Sequence, residues 1–218
     1  GNYPVGSNNV ALGDTALDSL TSGGTNTAVG GGSLTALTSG NNNHAFGHGA
    51  LQSNVSGGEN VAIGRLALQA NTASANTAVG HNAGYNNTSG SSNTAIGMQA
   101  LLSNTTASNN TAVGSGALYT NTTGYNNIAT GYQSLYNNTT GYENNATGVV
   151  ALLSNTTGAF NTAYGNASVR SNTTGNYNTG IGVNALYSNT TASYNTAVGY
   201  QAGYSNTTGG QVAAFGSN

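Results

Sequence analysis

Residues 93–109 read NTAIGMQALLSNTTASN, and residues 110–126 read NTAVGSGALYTNTTGYN. The two stretches are equally long and have the same residue type at most positions. Self-similarity at a fixed period of this size is typical of solenoid proteins, in which each repeat is one structural unit. We number the positions of the repeat from its first asparagine, so that the consensus is N-T-A-V-G-x-x-A-L-x-S-N-T-T-G-x-x.

The repeat covers nearly all of the 218 residues, and the glycine at position five marks each copy. Eleven of the twelve intervals between marker glycines equal the length of this consensus, and one is shorter by a single residue. The missing residue falls between Asn71 and Asn76, which predicts a turn there, because turns tolerate deletions. We expect a single repeat array over residues 1–218 and a longer parent fibre. The marker glycines are Gly13, Gly30, Gly47, Gly64, Gly80, Gly97, Gly114, Gly131, Gly148, Gly165, Gly182, Gly199 and Gly216.

Seventeen residues are too few for the two helices of a typical helical repeat, and β-branched residues with glycine between them favour strands. We predict an all-β parallel β-solenoid (β-roll) of about thirteen coils with two short strands per coil, at positions one to four and eight to eleven. Glycines at positions five and fifteen should supply the positive φ angles of the corners, with Ala73, Ala107 and Ala192 as departures at fifteen.

Asparagine begins nearly every repeat. Stacked in register, these residues would form a column whose amides hydrogen-bond along the coil axis. A plain turn role is the alternative. The column is predicted for Asn26, Asn60, Asn93, Asn110, Asn161 and Asn195.

Both predicted strands carry adjacent apolar residues, at positions three and four and at positions eight and nine. Neighbouring residues of a strand point to opposite faces, so each strand should be apolar on both faces. The outer face would then expose a stripe of Val, Ile and Leu, more apolar surface than a soluble monomer usually leaves open. Burial against identical chains removes that stripe, and a closed ring of three is a simple symmetric solution. We therefore expect a homotrimer.

Residues 93–100 (NTAIGMQA) and 195–202 (NTAVGYQA) resemble the head repeats of trimeric autotransporter adhesins. The longer unit with its SNTTG turn, as at residues 154–158 and 205–209, is similar to repeats of phage tail-fibre and bacterial surface-fibre proteins. The resemblance implies a left-handed trimeric β-roll, an extracellular location on a virion or cell surface, and a role in host attachment. The coil length differs from that of the adhesin heads.

Composition argues against several other functions. Only 3% of the residues are charged, so no basic surface is expected to attract nucleic acid or anionic lipid. Cysteine is absent, and the segment has no apolar run long enough to span a bilayer, so we expect no disulfide, no thiolate metal site and no membrane insertion by this segment. His44, His48 and His81 have no carboxylate pattern near them, so we expect neither metal nor cofactor and no enzyme activity.

Two residue patterns on the predicted surface could carry a function. N-x-S/T sequons recur in the turn and could be glycosylated, or they could simply be good turn residues. Tyrosine recurs at position ten, where exposed rings could stack on the sugars of a cell-surface glycan or receptor, or could pack against each other from coil to coil. The sequons that recur at position twelve are Asn54, Asn87, Asn104, Asn121, Asn138, Asn155, Asn172, Asn189 and Asn206. The tyrosines at position ten are Tyr85, Tyr119, Tyr136, Tyr187 and Tyr204.

The sequence therefore favours a structural and adhesive fibre segment, such as a phage tail-fibre shaft or an adhesin stalk. A self-assembling filament is an alternative, because repeats run to both ends and uncapped strand edges invite axial association. An ice-binding solenoid is another, because threonine recurs at position thirteen on a nearly uncharged surface. That threonine lies in a predicted turn rather than in a flat strand.

Overall fold

A computed structural model of the chain describes residues 6–217. These residues form two compact units that divide between Asn109 and Asn110. Each unit is a parallel β-solenoid with one three-residue strand in every coil, and neither contains a helix within the described residues. The predicted all-β parallel solenoid with one sequence repeat per coil is thereby confirmed.

Every strand pairs in parallel with the strand of the next coil in its unit, and the same repeat positions face each other, as in Ala28 with Ala45 and Ala146 with Ala163. The first unit contains β1 (Val10–Leu12), β2 (Thr27–Val29), β3 (His44–Phe46), β4 (Val61–Ile63), β5 (Thr77–Val79) and β6 (Thr94–Ile96). The second contains β7 (Thr111–Val113), β8 (Ile128–Thr130), β9 (Asn145–Thr147), β10 (Thr162–Tyr164), β11 (Thr179–Ile181), β12 (Thr196–Val198) and β13 (Ala213–Phe215).

The shortened coil keeps its strand in register. Ala62 on β4 pairs with Ala78 on β5, although the chain between them is one residue shorter than in the other coils. In the turn, the Asn71 side chain donates to the carbonyl of Ala73, two residues on, at 2.8 Å. The corresponding bond in the preceding coil, from Asn54 to Gly57, spans three residues. The turn therefore absorbs the deletion, as predicted.

The second predicted strand, at positions eight to eleven, is wrong: those residues form turns. Position nine has a positive φ in every described coil, for example 52° at Leu51 and 50° at Leu152, whereas a strand needs a strongly negative φ. Main-chain bonds still join the coils here, since Leu51 N–H donates to Ala67 C=O at 3.0 Å. The segment is bonded like a sheet without having extended backbone.

The left-handed backbone at position nine turns two adjacent side chains inward. Alanine or serine at position eight and the following leucine are both buried, as in Ala151 and Leu152 at 0% exposure. The predicted outer stripe of leucine is therefore wrong. Alanine at position three, such as Ala146, fills the opposite wall. Within each strand, the side chains at positions two and four point outward.

The corner prediction holds at position five and fails at position fifteen. The marker glycines have φ angles near 130°, such as 130° at Gly97 and 138° at Gly148. At position fifteen, among the described residues, only Gly6 and Gly23 have a positive φ, so in the other coils alanine there does not require a left-handed backbone. The positive φ of this corner lies at position seventeen instead, as at Tyr177, which has a φ of 57°.

Candidate functional site

The asparagines at position one lie inside the coil and bond to the next coil. Asn161 donates its main-chain N–H to Asn144 Oδ1 at 3.0 Å and its side-chain amide to the same oxygen at 3.1 Å. One carboxamide oxygen thus accepts two bonds from the following repeat. The buried members of this first inner column include Asn26, Asn60, Asn93, Asn110, Asn161 and Asn195.

Asparagines at position twelve form a second inner column. Asn172 donates to Asn155 Oδ1, and Asn155 donates to Asn138 Oδ1, both at 2.8 Å. The two columns meet at the carbonyl of position fifteen, since Asn161 and Asn172 both donate to Gly175 C=O at 2.9 Å. Each coil is therefore closed by side-chain bonds, and the two lone pairs of a carbonyl oxygen explain how it can serve both columns.

The second inner column contains the asparagines of the position-twelve sequons, together with Asn71. Their burial opposes glycosylation of the folded chain, because a glycan on Nδ2 would replace an internal donor and has no room beside the neighbouring coils. Asn206 alone is half-buried. The fully or almost fully buried members are Asn54, Asn87, Asn104, Asn121, Asn138, Asn155, Asn172 and Asn189.

We expect folded chain made by a host that N-glycosylates secreted proteins to carry no glycan at the buried sequons. Any mass above the sequence mass should trace to Asn206 or to sequons outside this column, none of which is buried: Asn86, Asn109, Asn137, Asn145 and Asn166. Peptide mapping after enzymatic glycan removal locates any modified asparagine. Glycans on Asn138 or Asn155 in soluble folded chain would contradict the inward orientation of this column.

The tyrosines at position ten are half-buried, and four of the five stack in pairs. Tyr119 and Tyr136 have ring centroids 4.8 Å apart at an interplanar angle of 8°, and Tyr187 and Tyr204 are 5.0 Å apart at 10°. Arg170, on the preceding coil, lies over the ring of Tyr187, with its guanidinium carbon 5.6 Å from the centroid. Rings at this position therefore pack along the coil axis.

A second set of rings lies at the turn and is the more exposed. Tyr125 and Tyr142 occupy position sixteen and stack at 5.0 Å, whereas Phe160, Tyr177 and Tyr194 occupy position seventeen and stack at 4.8 and 5.0 Å. The change of position turns Tyr142 and Phe160 edge to face at 77°. We call these five residues the turn aromatic column.

Stacking decides what these rings can present to a ligand. Tyr177 has Phe160 on one face and Tyr194 on the other, and Tyr187 lies between Arg170 and Tyr204. A sugar ring that packs on an aromatic residue needs a free ring face. Tyr177 and Tyr187, which are covered on both faces, present ring edges and hydroxyl groups instead, and this geometry favours coil-to-coil packing.

The outward strand residues of the first unit form an unbroken apolar row at position four, which we call the outer strand row. Its exposed members include Leu12 at 67% and Ile63 at 43%. In the second unit, Thr130 and Thr147 interrupt the same position. The row consists of Leu12, Val29, Phe46, Ile63, Val79 and Ile96.

Threonine at position thirteen lies in a bend and not in a strand. Its hydroxyl donates to the carbonyl of the equivalent threonine on the next coil, as from Thr139 to Thr156 at 3.0 Å and from Thr156 to Thr173 at 3.1 Å. These hydroxyl groups brace the turn, and the ice-binding hypothesis gains no flat threonine strand from them.

The ionisable side chains of the first unit are scattered among its described residues. Arg65 Nη1 lies 3.2 Å from His81 Nε2 on the surface, and His44 is exposed on β3. An open polar depression beside the shortened coil contains one carboxylate, Glu59. Among residues 6–217, no three His, Cys, Asp or Glu side chains are grouped to hold a metal ion. None of these residues belongs to a helix of the length and apolarity that a membrane crossing requires.

The fold and its inner columns define a repeat protein of the parallel β-solenoid class. Comparison of the chain with protein-family models, with curated proteins and with solved structures found no match.

Proposed function

We propose that this chain is a structural segment of an extracellular fibre on a virion or cell surface, where it supports a receptor-binding part and contributes to host attachment. The coil-to-coil bonding carries the proposal. Neighbouring coils are joined at the strand, at the turn through Thr156, and in the interior through Asn155 and Asn161. A load applied across the coils is thus shared among many parallel bonds.

The resemblance of the NTAIG and SNTTG segments to adhesin heads and to tail-fibre repeats supports the extracellular role. In the adhesin heads the repeats assemble as trimers. The left hand of the coil and the homotrimer belong to this proposal.

We assign self-association to the outer strand row of the first unit, and its occupant is a second copy of this chain. Leu12, Phe46, Ile63 and Ile96 expose between 39% and 67% of their surface. The row has no charged member, so an identical row would pack on it without desolvating a charge. The same row on another chain also has the same spacing from coil to coil, which lets successive side chains meet in register.

Light scattering should return about three times the chain mass of 21.5 kDa. Replacing Phe46 and Ile63 by threonine, the residue native to this position at Thr130 and Thr147, should weaken association. Burying one such side chain contributes roughly 1.5 to 3 kcal/mol, so the dissociation constant should rise at least tenfold.

The matched control is Val55→Thr, which removes apolar surface from an equally exposed residue in the turn, where the other coils carry threonine. It should leave the mass unchanged. A clean monomer of the native chain would refute self-association. If Val55→Thr weakened association equally, the assignment of the interface to the outer strand row would be refuted. A mass that keeps growing with concentration would favour the filament alternative.

A further inference from the structure

Four pairs of tyrosines in the second unit lie face to face on neighbouring coils. In every pair the centroids are 4.8 to 5.0 Å apart and the rings are within 10° of parallel. The pairs are Tyr119 with Tyr136, Tyr125 with Tyr142, Tyr177 with Tyr194, and Tyr187 with Tyr204.

The backbone holds the rings of the turn aromatic column in place. Tyr177 N–H donates to Ala159 C=O at 3.1 Å, and Tyr194 N–H donates to Asn176 C=O at 3.0 Å, so the main chain at each tyrosine is bonded to the preceding coil. Both residues are also exposed, Tyr177 at 47% and Tyr194 at 61%. Two phenol groups are therefore kept in contact where a dissolved or enzymatic oxidant can reach them.

We propose that Tyr177 and Tyr194 form an oxidative cross-linking site, in which one-electron oxidation joins two successive coils through a dityrosine bond. The oxidant is hydrogen peroxide acting through a haem peroxidase. Tyr125 and Tyr142 form a second such site, with Tyr125 exposed at 43%. The pairs at position ten react more slowly, because their rings are half-buried.

The chemistry balances within the pair. Each phenol gives one electron and its O–H proton to the oxidant and becomes a tyrosyl radical. The two radicals couple through one Cε carbon of each ring, and the hydrogen on each of those carbons then moves to the phenol oxygen as the rings become aromatic again. The product has lost two hydrogen atoms, and one peroxide has been reduced to two waters.

Phe160 separates the two sites. It stacks on Tyr177 at 4.8 Å and 3°, as closely as any tyrosine pair, but it has no phenol O–H to lose. The column therefore allows a link on each side of Phe160 and none through it. Each link would add a covalent bond between coils that the fold otherwise joins through hydrogen bonds.

The test treats the full chain with peroxidase and hydrogen peroxide, measures dityrosine fluorescence, and locates each link by mass spectrometry of peptides. A Tyr177–Tyr194 link lighter by two hydrogen atoms is expected, with a yield per chain that stays constant over a tenfold dilution. Tyr177→Phe preserves the stack and should abolish this link while leaving the Tyr125–Tyr142 link. Phe160→Tyr combined with Tyr194→Phe should move the link to residues 160 and 177.

Three results would each overturn the proposal. The first is the absence of a Tyr177–Tyr194 link after a treatment that couples free tyrosine. The second is a yield that falls in proportion to dilution, because the links would then join different chains. The third is a Tyr194 link to another coil that persists unchanged in Tyr177→Phe.

Discussion

Gly148→Ala is expected to destabilise the second unit by more than about 4 kcal/mol, an effect large enough to prevent folding. Gly148 has a φ of 138°, which side chains other than hydrogen rarely permit. An added Cβ would also lie 2.3 Å from the carbonyl oxygen of Gly165 on the next coil. That coil cannot retreat, because Gly165 N–H is bonded to Thr147 C=O at 2.8 Å. Urea denaturation followed by circular dichroism measures the loss.

Gly158→Ala tests whether the loss in Gly148→Ala comes from the positive φ or from crowding of the added Cβ. Its added Cβ would lie 2.5 Å from the carbonyl oxygen of Gly175, so crowding alone predicts comparable damage. However, position fifteen has no positive φ in this coil. In the coil that begins at Asn93, the same position is occupied by Ala107, whose carbonyl still accepts the Asn93 amide at 2.9 Å. We expect a cost of about 1 kcal/mol or less for Gly158→Ala. Equal losses in the two variants would show that φ is not the deciding factor.

The repeat period alone predicts the parallel stacking of the coils, the strand at the start of each repeat and the location of the deletion in a turn. The segment at positions eight to eleven is wrongly predicted as a strand because its adjacent alanine and leucine suit a strand by composition, whereas its conformation depends on its φ angles. A signal was present: glycine replaces leucine at position nine in Gly84 and Gly203, and it appears at position seven in Gly49. Occasional glycine at two positions of a repeat indicates a shared positive φ, which the other coils adopt under strain.

The surface chemistry was less predictable than the fold. Sequons suggested an exposed turn, yet Leu20 and Leu37 occupy the same position twelve and are buried, which indicates an inward side chain. Ring stacking follows from tyrosines at the same position of successive repeats, but the edge-to-face contact of Tyr142 with Phe160 depends on a shift by one position. The exposure of each ring depends on the shape of the turn, which composition does not determine.

Asn155→Leu should destabilise the second unit by roughly 2 to 6 kcal/mol, because it leaves two buried polar groups without partners at about 1 to 3 kcal/mol each. Asn138 Oδ1 would lose its donor, and one N–H of Asn172 Nδ2 would lose its acceptor. Leucine itself fits the column, as Leu37 does at 0% exposure, so the loss of stability measures the lost hydrogen bonds rather than poor packing. Thr157→Ala, in the same turn but exposed, should change stability by no more than about 0.5 kcal/mol.

The double variant Asn155→Leu with Asn172→Leu is expected to cost about as much as Asn155→Leu alone. It again leaves two groups without partners, since Asn138 Oδ1 still lacks a donor and Asn189 Nδ2 now lacks the acceptor on residue 172. Removing both partners of a buried bond is nearly neutral, so the two changes should be strongly non-additive. Costs that simply add would mean that each asparagine acts alone. A single-variant cost no larger than that of Thr157→Ala would mean that the column does not hold the coils together.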